Sequence, residues 1–239
     1  MRRDAIDPTA QDAAEFTLTE IPEVPEEGLP CPEAERELQD RLRDNPQVDH
    51  VLIPRTALRA RIRVLAAELR AQYPAGTSLH FVILLKGAMA FAKDLGETLF
   101  ELDGTNVTYH LLKASTYGAE LKGAGEASRP VTIQLGPGKV RGLDLVLVDD
   151  LVDQGFTLDR VRRYLLEEEG AASVRLCVLM EKRLRQPPEA VRRLRAGLVL
   201  HHVGFRIPDR WVAGYGIDAV EAFRNLPFII LVNESRYVP

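Results

Sequence analysis

Residues 145–158 read LVLVDDLVDQGFTL, an apolar run that ends on two adjacent carboxylates, Asp149 and Asp150. Asp153, Gln154, Gly155, Phe156 and Thr157 follow at once. A strand that delivers acids to its end and then turns into a helix places a glycine where the backbone can approach a ligand. The N–H groups of such a turn, with the helix N-terminus behind them, form an anion cradle. Paired carboxylates beside an anion cradle make chemical sense if the acids bind sugar hydroxyls while the cradle takes the sugar's phosphate. The acids alone could also be an acidic first turn that merely favours the helix dipole. The whole string, a strand followed by DD-x-x-D-x-G-x-T, argues against that simpler account.

Other residues with chemical potential carry less when taken singly. Lys86 and Gly87 follow the apolar run His80–Leu85. Lys182 beside Glu181 reads as a surface pair worth little. Trp211 alone reads as a core residue, Arg224 as a solvated charge, and Asp218 as an N-cap for a helix over 219–225. The five histidines are scattered without zinc-ligand spacing, and His201 and His202 read as structural or exposed.

The elements that must position these groups follow from periodicity. Val51–Ile53 is a short strand. Pro54 opens a helix to about Gln72, with apolar residues at 58, 62, 65, 66 and 69. His80–Leu85 is a strand, followed by a helix through about Phe100, and Asn106–Leu112 is another strand. Residues 113–142, rich in Gly, Lys and Thr, read as a mobile loop or irregular ribbon. Leu143–Val148 is a near-continuous apolar strand, Thr157–Glu169 a helix stopped by Gly170, and Val174–Met180 a strand. Leu198–Val203 and Phe228–Val232 read as later, shorter strands. Apolar strands separated by amphipathic helices imply an α/β fold with a parallel sheet covered on both faces. Ligands of such sheets bind beyond the carboxyl ends of the strands, where the acids lie.

Composition narrows the setting. The chain has 239 residues and a formal net charge of -4, which suggests one or two domains. Residues 1–50 hold 14 acidic and 5 basic side chains, so of the 35 and 31 in the chain the remaining body holds 21 and 26. An acidic head thus precedes a mildly basic body, which reads either as an ordinary solvated surface or as one suited to anions such as phosphate. Prolines 8, 22, 25 and 30 among those acids predict an extended or disordered arm over 1–30. Glu33–Asp44 reads as a short helix ended by Asn45-Pro46. Two domains of behaviour are therefore expected: an acidic arm at 1–50 and a folded body at 51–239. The longest apolar runs are five residues, far short of the 18–20 or so that a membrane helix needs. The N-terminus has no signal-peptide pattern. Cys31 and Cys177 read as free thiols in a reducing compartment, so a cytoplasmic location is expected.

The 145–158 string resembles the phosphoribosyl-pyrophosphate (PRPP) motif of type I phosphoribosyltransferases. Leu84-Leu85-Lys86-Gly87 resembles the pyrophosphate loop of the hypoxanthine-guanine branch. Ser115-Thr116-Tyr117-Gly118 looks like the start of that family's mobile loop, and Glu181-Lys182-Arg183 like its purine-recognition segment. Residues 208–218 and Phe223-Arg224-Asn225-Leu226 are similar to its C-terminal hood. Five motifs in family order cover about residues 51–235. The resemblance implies the type I phosphoribosyltransferase fold, a mostly parallel twisted sheet flanked by helices, with a small hood at about 200–235 over the base site.

It also implies roles. Asp149 and Asp150 would bind the ribose hydroxyls and Mg²⁺, and Asp218 a second Mg²⁺ through its waters. Asp153 would be the general base for the purine ring N–H, with residues 153–157 taking the 5′-phosphate. Leu85, Lys86, Gly87 and Arg224 would hold pyrophosphate, with Leu85–Lys86 a cis peptide. Lys182 would donate to a 6-oxo group, Trp211 stack on the purine and the Val212 carbonyl touch its edge. Ser115, Thr116 and Tyr117 would begin the closing loop. The substrates implied are PRPP and a 6-oxopurine, and the assembly a homodimer or homotetramer, without nucleic-acid or membrane partners. The chain departs from the family at Gln154, where Thr is usual, and at Ala88, where Gly is common. Two other readings remain on the same fold: a nucleotide-sensing RNA-binding regulator, for which a balance of +5 is thin, and a paralogue with little turnover.

Overall fold

The computed structural model describes residues 20–74, 76–116, 131–136 and 138–237. A 3₁₀ turn (Glu33–Glu35) and α1 (Arg36–Asp40) precede β1 (Val48–Ile53) and α2 (Arg55–Arg70). Next come β2 (Leu79–Leu85), α3 (Met89–Asp103), β3 (Val107–Thr116), β4 (Val131–Leu135), β5 (Asp144–Val152) and α4 (Phe156–Arg163). A π-helical turn (Tyr164–Glu168) extends α4 to β6 (Ser173–Arg183), α5 (Glu189–Gly197), β7 (His202–Pro208), β8 (Val212–Ala213) and β9 (Ile229–Val232).

Six strands form the main sheet in the order β4-β3-β2-β5-β6-β7. All neighbours are parallel except β4, which returns antiparallel on β3. The near-continuous apolar strands are explained by burial on both faces. Phe81, Ile83, Val146, Val148, Cys177 and Leu179 face one core with the stripe Leu58, Ile62, Leu65, Ala66 and Leu69 of α2 and Phe91, Leu95 and Leu99 of α3. Their alternates Val82, Leu145, Leu147, Leu176 and Val178 face the other core with Leu158, Val161 and Leu165. Each such side chain taken from water contributes about 1.5–3 kcal/mol. A separate antiparallel sheet, β1-β9-β8, packs over the third cluster and forms the hood.

Five expectations are corrected. Residues 20–50 are not an arm separate from the body but are woven into it. Val24 is fully buried in the first core. Its N–H donates to the Arg206 carbonyl at 2.8 Å, and the Arg206 N–H donates to the Pro22 carbonyl at 2.8 Å. Apolar burial and an open edge on β7 draw the segment in, and it covers that edge. Glu35 accepts the N–H groups of Arg55 at 3.0 Å and Thr56 at 2.7 Å, capping α2 where Pro54 offers no side-chain cap. The helix expected over Glu33–Asp44 is shorter accordingly. Residues 1–19 lie outside the described residues. Within the expected loop at 113–142, β3 runs on to Thr116 and pairs with β4 from Leu112↔Leu135 to Thr116↔Val131. Residues 117–130 lie outside the described residues. The strand expected at Leu198–Val203 begins instead at His202, in parallel register with Cys177. Leu198 instead follows α5, a helix not anticipated from the sequence. Residues 219–225 form turns rather than a helix.

Candidate active site

Strand β5 ends where the acids begin. Asp149 is buried, with 6% exposure, and its carboxylate accepts the Asp150 N–H at 3.0 Å. Burial first, and the neighbouring Asp150 charge second, push the Asp149 carboxyl well above the usual carboxylate range. Asp150 is pushed up by burial as well, with Arg224 among the groups pulling it back. Gly155 then takes a left-handed φ of +91° and starts α4 with no side-chain cap. The first-turn N–H groups of α4 are left for an anion. Residues 149–158 and Ile217 line a cavity of about 300 Å³.

A second cavity of about 240 Å³ shares Asp153 and Gln154 with the first and reaches Lys182, Gln186, Val191 and Asp209. Lys182 is buried, with 6% exposure, and its amine lies 3.0 Å from Asp153 Oδ2. One compartment is thus rich in backbone donors and carboxylates. The other offers a buried ammonium paired with a carboxylate, joined to the first through Asp153.

The loop after β2 closes the other side. The Leu85–Lys86 peptide is cis, as the resemblance implies. A Cβ on Gly87 would overlap the Asp150 carboxylate, and one on Gly216 would overlap the Gly87 carbonyl. Only two residues without side chains permit this stack of acid, loop and hood. Lys86 Nζ lies 3.3 Å from Glu221 Oε2 on the exposed rim. Arg224 Nη2 lies 2.6 Å from Asp218 Oδ1, and its Nη1 donates to the Gly216 carbonyl at 2.9 Å. Asp218 Oδ2 accepts the Glu221 N–H at 2.8 Å. Tyr215 Oη donates to Asp94 Oδ2 at 2.6 Å, tying the hood to α3. That contact and burial push its phenol well up, burial being the larger cause.

The structure therefore gathers Asp149 to Thr157, Gly87, Lys182, Asp218 and Arg224 at the carboxyl end of the sheet. Trp211 lines neither cavity: its ring packs on Tyr237 with centroids 4.8 Å apart, within the third apolar cluster. Val212 opens β8 in register with Leu231. Ser115 and Thr116 end β3, and Tyr117 lies outside the described residues. Among the described residues no cluster of three His, Cys, Asp or Glu side chains could hold a metal alone. The pair Asp149–Asp150 still offers an all-oxygen donor set. It suits Mg²⁺, which keeps several waters and shares one or two carboxylates with substrate oxygens.

Arg195 was not singled out by the sequence reading, and Glu181 only as a neighbour of Lys182. Arg195 of α5 and Glu181 of β6 form an ion pair at 2.6 Å, next to Asp153 and Lys182. The start and stop signals of α5 were nevertheless present: Pro187-Pro188 before it, Glu189 in its first turn and Gly197 at its end.

The family profile described as phosphoribosyl transferase domain matches residues 54–200. A hypoxanthine phosphoribosyltransferase of Escherichia coli strain K12 is 32% identical over 192 residues, covering 77% of this chain and 97% of that protein. A hypoxanthine-guanine phosphoribosyltransferase of Bacillus subtilis is 30% identical over 196 residues, covering 80% and 96%. Among solved structures, a hypoxanthine phosphoribosyltransferase of Staphylococcus aureus superimposes with a TM-score of 0.66 at 27% identity, covering 81% and 96%.

Proposed function

Because this chain belongs to the phosphoribosyltransferase family, in its hypoxanthine-guanine branch, we propose that it transfers a 5-phosphoribosyl group from PRPP to hypoxanthine or guanine. The products are IMP or GMP and pyrophosphate, and the physiological role is purine salvage. The observation that carries the reading is the junction of the two cavities at Asp153, with a buried ammonium on the base side and a backbone cradle on the other.

Each group then has a task. Backbone N–H groups of 153–157 and the Thr157 hydroxyl hold the 5′-phosphate, and Gln154 contributes its amide where a hydroxyl is usual. Asp149 and Asp150 accept the ribose hydroxyls. Lys182 donates to the 6-oxo group, which a 6-amino base cannot accept in the same way. Asp153 takes the proton from the ring N–H as the new C–N bond forms. Pyrophosphate leaves into the space bounded by Lys86, Gly87 and Arg224. Trp211 and the Val212 carbonyl are the hood groups assigned to the face and edge of the purine. Asp149 and Asp150 would hold Mg²⁺, which would supply positive charge to offset that of the pyrophosphate, and Asp218 would help to hold a second ion.

A homo-oligomer fits the exposed apolar side chains Phe100, Leu102, Tyr109 and Leu111 on α3 and β3. Two free thiols, one of them buried in the core, fit a reducing, cytoplasmic setting. No helix of the described residues is long and apolar enough to cross a membrane. The test is a steady-state assay with PRPP and Mg²⁺, offering hypoxanthine, guanine, xanthine, adenine and uracil in parallel. Turnover confined to hypoxanthine and guanine is the expected result. A folded protein inactive with every base would overturn the reading.

A further inference from the structure

Helix α5 carries none of the sequence motifs, yet one of its side chains reaches under the site. Arg195 is mostly buried, its side chain 16% exposed. Its Nη1 donates to the carbonyls of Val152, at 3.4 Å, and Asp153. Its Nη2 donates to Glu181 Oε1 at 2.6 Å and to the Lys182 carbonyl at 3.4 Å. Glu181 Oε2 is held in turn by Arg206 Nε at 3.2 Å.

The position of this guanidinium matters because the backbone ladder stops there. Strands β5 and β6 pair through Leu151↔Met180 and Val152↔Glu181, and no further. Asp153 follows at once on the end of β5, and Lys182 is the next residue of β6, where its ladder partner is Ile207 of β7. No β5–β6 ladder pair joins Asp153 to Lys182. Arg195 holds the main-chain carbonyl of each, and its rigid fork of donors suits several acceptors at fixed spacing. The aliphatic stem lies beside Gly155, whose missing Cβ would stand 3.3 Å from Arg195 Cδ. One side chain thus touches the acid, the base-side lysine and the start of the phosphate cradle.

We propose that Arg195, held by Glu181, is a positioning residue that sets the Asp153–Lys182 geometry for 6-oxopurine transfer. The assignment of Asp153 and Lys182 to the purine is the reading given above, on which the kinetic part of this proposal rests. The Arg195–Glu181 clamp acts only through those two residues.

The test uses Arg195→Met, which keeps the stem and removes every donor, and Arg195→Lys, which restores one charged donor group. In the full-length protein R195M is expected to lower kcat/KM for hypoxanthine about tenfold or more, with R195K recovering part of the loss. The same step is then repeated in a Lys182→Ala background. A residue acting through Lys182 loses most of its effect there, whereas an independent structural role leaves the two losses multiplying. Multiplying losses would overturn the proposal. So would failure of both variants to fold, since the role would then be one of stability. A crystal structure of R195M gives a readout that does not depend on turnover. The 3.0 Å contact between Lys182 and Asp153 is expected to open. If it stays unchanged the clamp is refuted, whether or not the wild type uses hypoxanthine. If the wild type is inactive but the contact opens, the clamp stands and the substrate reading falls.

Discussion

The amine of Lys182 sits 3.0 Å from the carboxylate of Asp153, although the two residues are 29 positions apart in sequence. Parallel register between β5 and β6 brings them together, one residue past the last pair of the ladder. A buried ammonium is costly without a partner, and the Asp153 carboxylate supplies one to Lys182. A purine with a 6-oxo group and a ring N–H can engage both members of this pair at once.

Asp153→Asn keeps the shape of the side chain and removes its basicity. The expected outcome is a fall in kcat for hypoxanthine of about 10²–10⁴, measured by steady-state kinetics at saturating PRPP. Lys182→Ala is expected to act mainly on choice of base, narrowing the ratio of kcat/KM between hypoxanthine and adenine by about tenfold or more. An unchanged ratio would remove Lys182 from base recognition.

Gly87→Ala tests the contact between the cis-peptide loop and the acids. A methyl group there overlaps the Asp150 carboxylate, so either the loop or the acid has to move. The expected outcome is a rise in KM for PRPP of about tenfold or more, since overpacking a tight site costs about 1–3 kcal/mol. Circular dichroism confirms that the fold survives. Unaltered PRPP kinetics in G87A would show that Asp150 is not needed where it stands.

Much of this arrangement was legible in the sequence, for identifiable reasons. The strand ending in Asp149 and Asp150, the turn at Gly155 and the stripe of α2 announce themselves through local pattern, and local pattern is what sheet burial and helix periodicity enforce. The placement of Val24 was not legible, because a lone valine among acids and prolines gains its value only from the open edge of β7. Strand β7 was set too early in the chain because the apolar run at 198–203 first links α5 to the sheet and only from His202 on is strand. Glu181 looked like half of a surface pair and Arg195 drew no reading at all, since their meaning lies in carbonyl groups supplied by two other elements. The pairing of Arg224 with Asp218 and Gly216 was likewise hidden, because a hood of turns leaves no periodic trace.

The pair His80–His110, with ring nitrogens 3.3 Å apart, makes stability depend on pH. Burial first, and His80 second, lower the His110 pKa from its ordinary 6.5. The unfolded chain therefore binds the proton more readily in the window just below 6.5. Stability is full above that window and is lost as pH falls from 6.5 towards the folded-state value. Burial lowers His201 in the same direction, with Arg175 adding to it. The expected result is a Tm that drops between pH 7 and about pH 5.5, with a smaller drop in His110→Gln. Identical pH curves for the two proteins would take His110 out of the account.

The hood contains a tight turn made by unsuitable residues. Ala219 and Ala222 exchange both backbone hydrogen bonds, each at 3.1 Å. The two residues between them, Val220 and Glu221, stand at φ +51° and +62°. Such mirror-image turns favour Asn-Gly because both central residues are left-handed. A β-branched side chain there is strained, at a cost of about 1–3 kcal/mol. Val220 is 69% exposed, so no packing compensates within the described residues. Glu221 has a reason to be present, since it meets Lys86 and Arg224 at the rim of the site. Val220→Asn should therefore stabilise the protein by about 1 kcal/mol, a rise in Tm of about 2–4 °C for a chain of this size. Thermal unfolding followed by circular dichroism checks it. A Tm equal to or below that of the wild type would mean that Val220 is not strained, and that its side chain is held by an assembly contact instead.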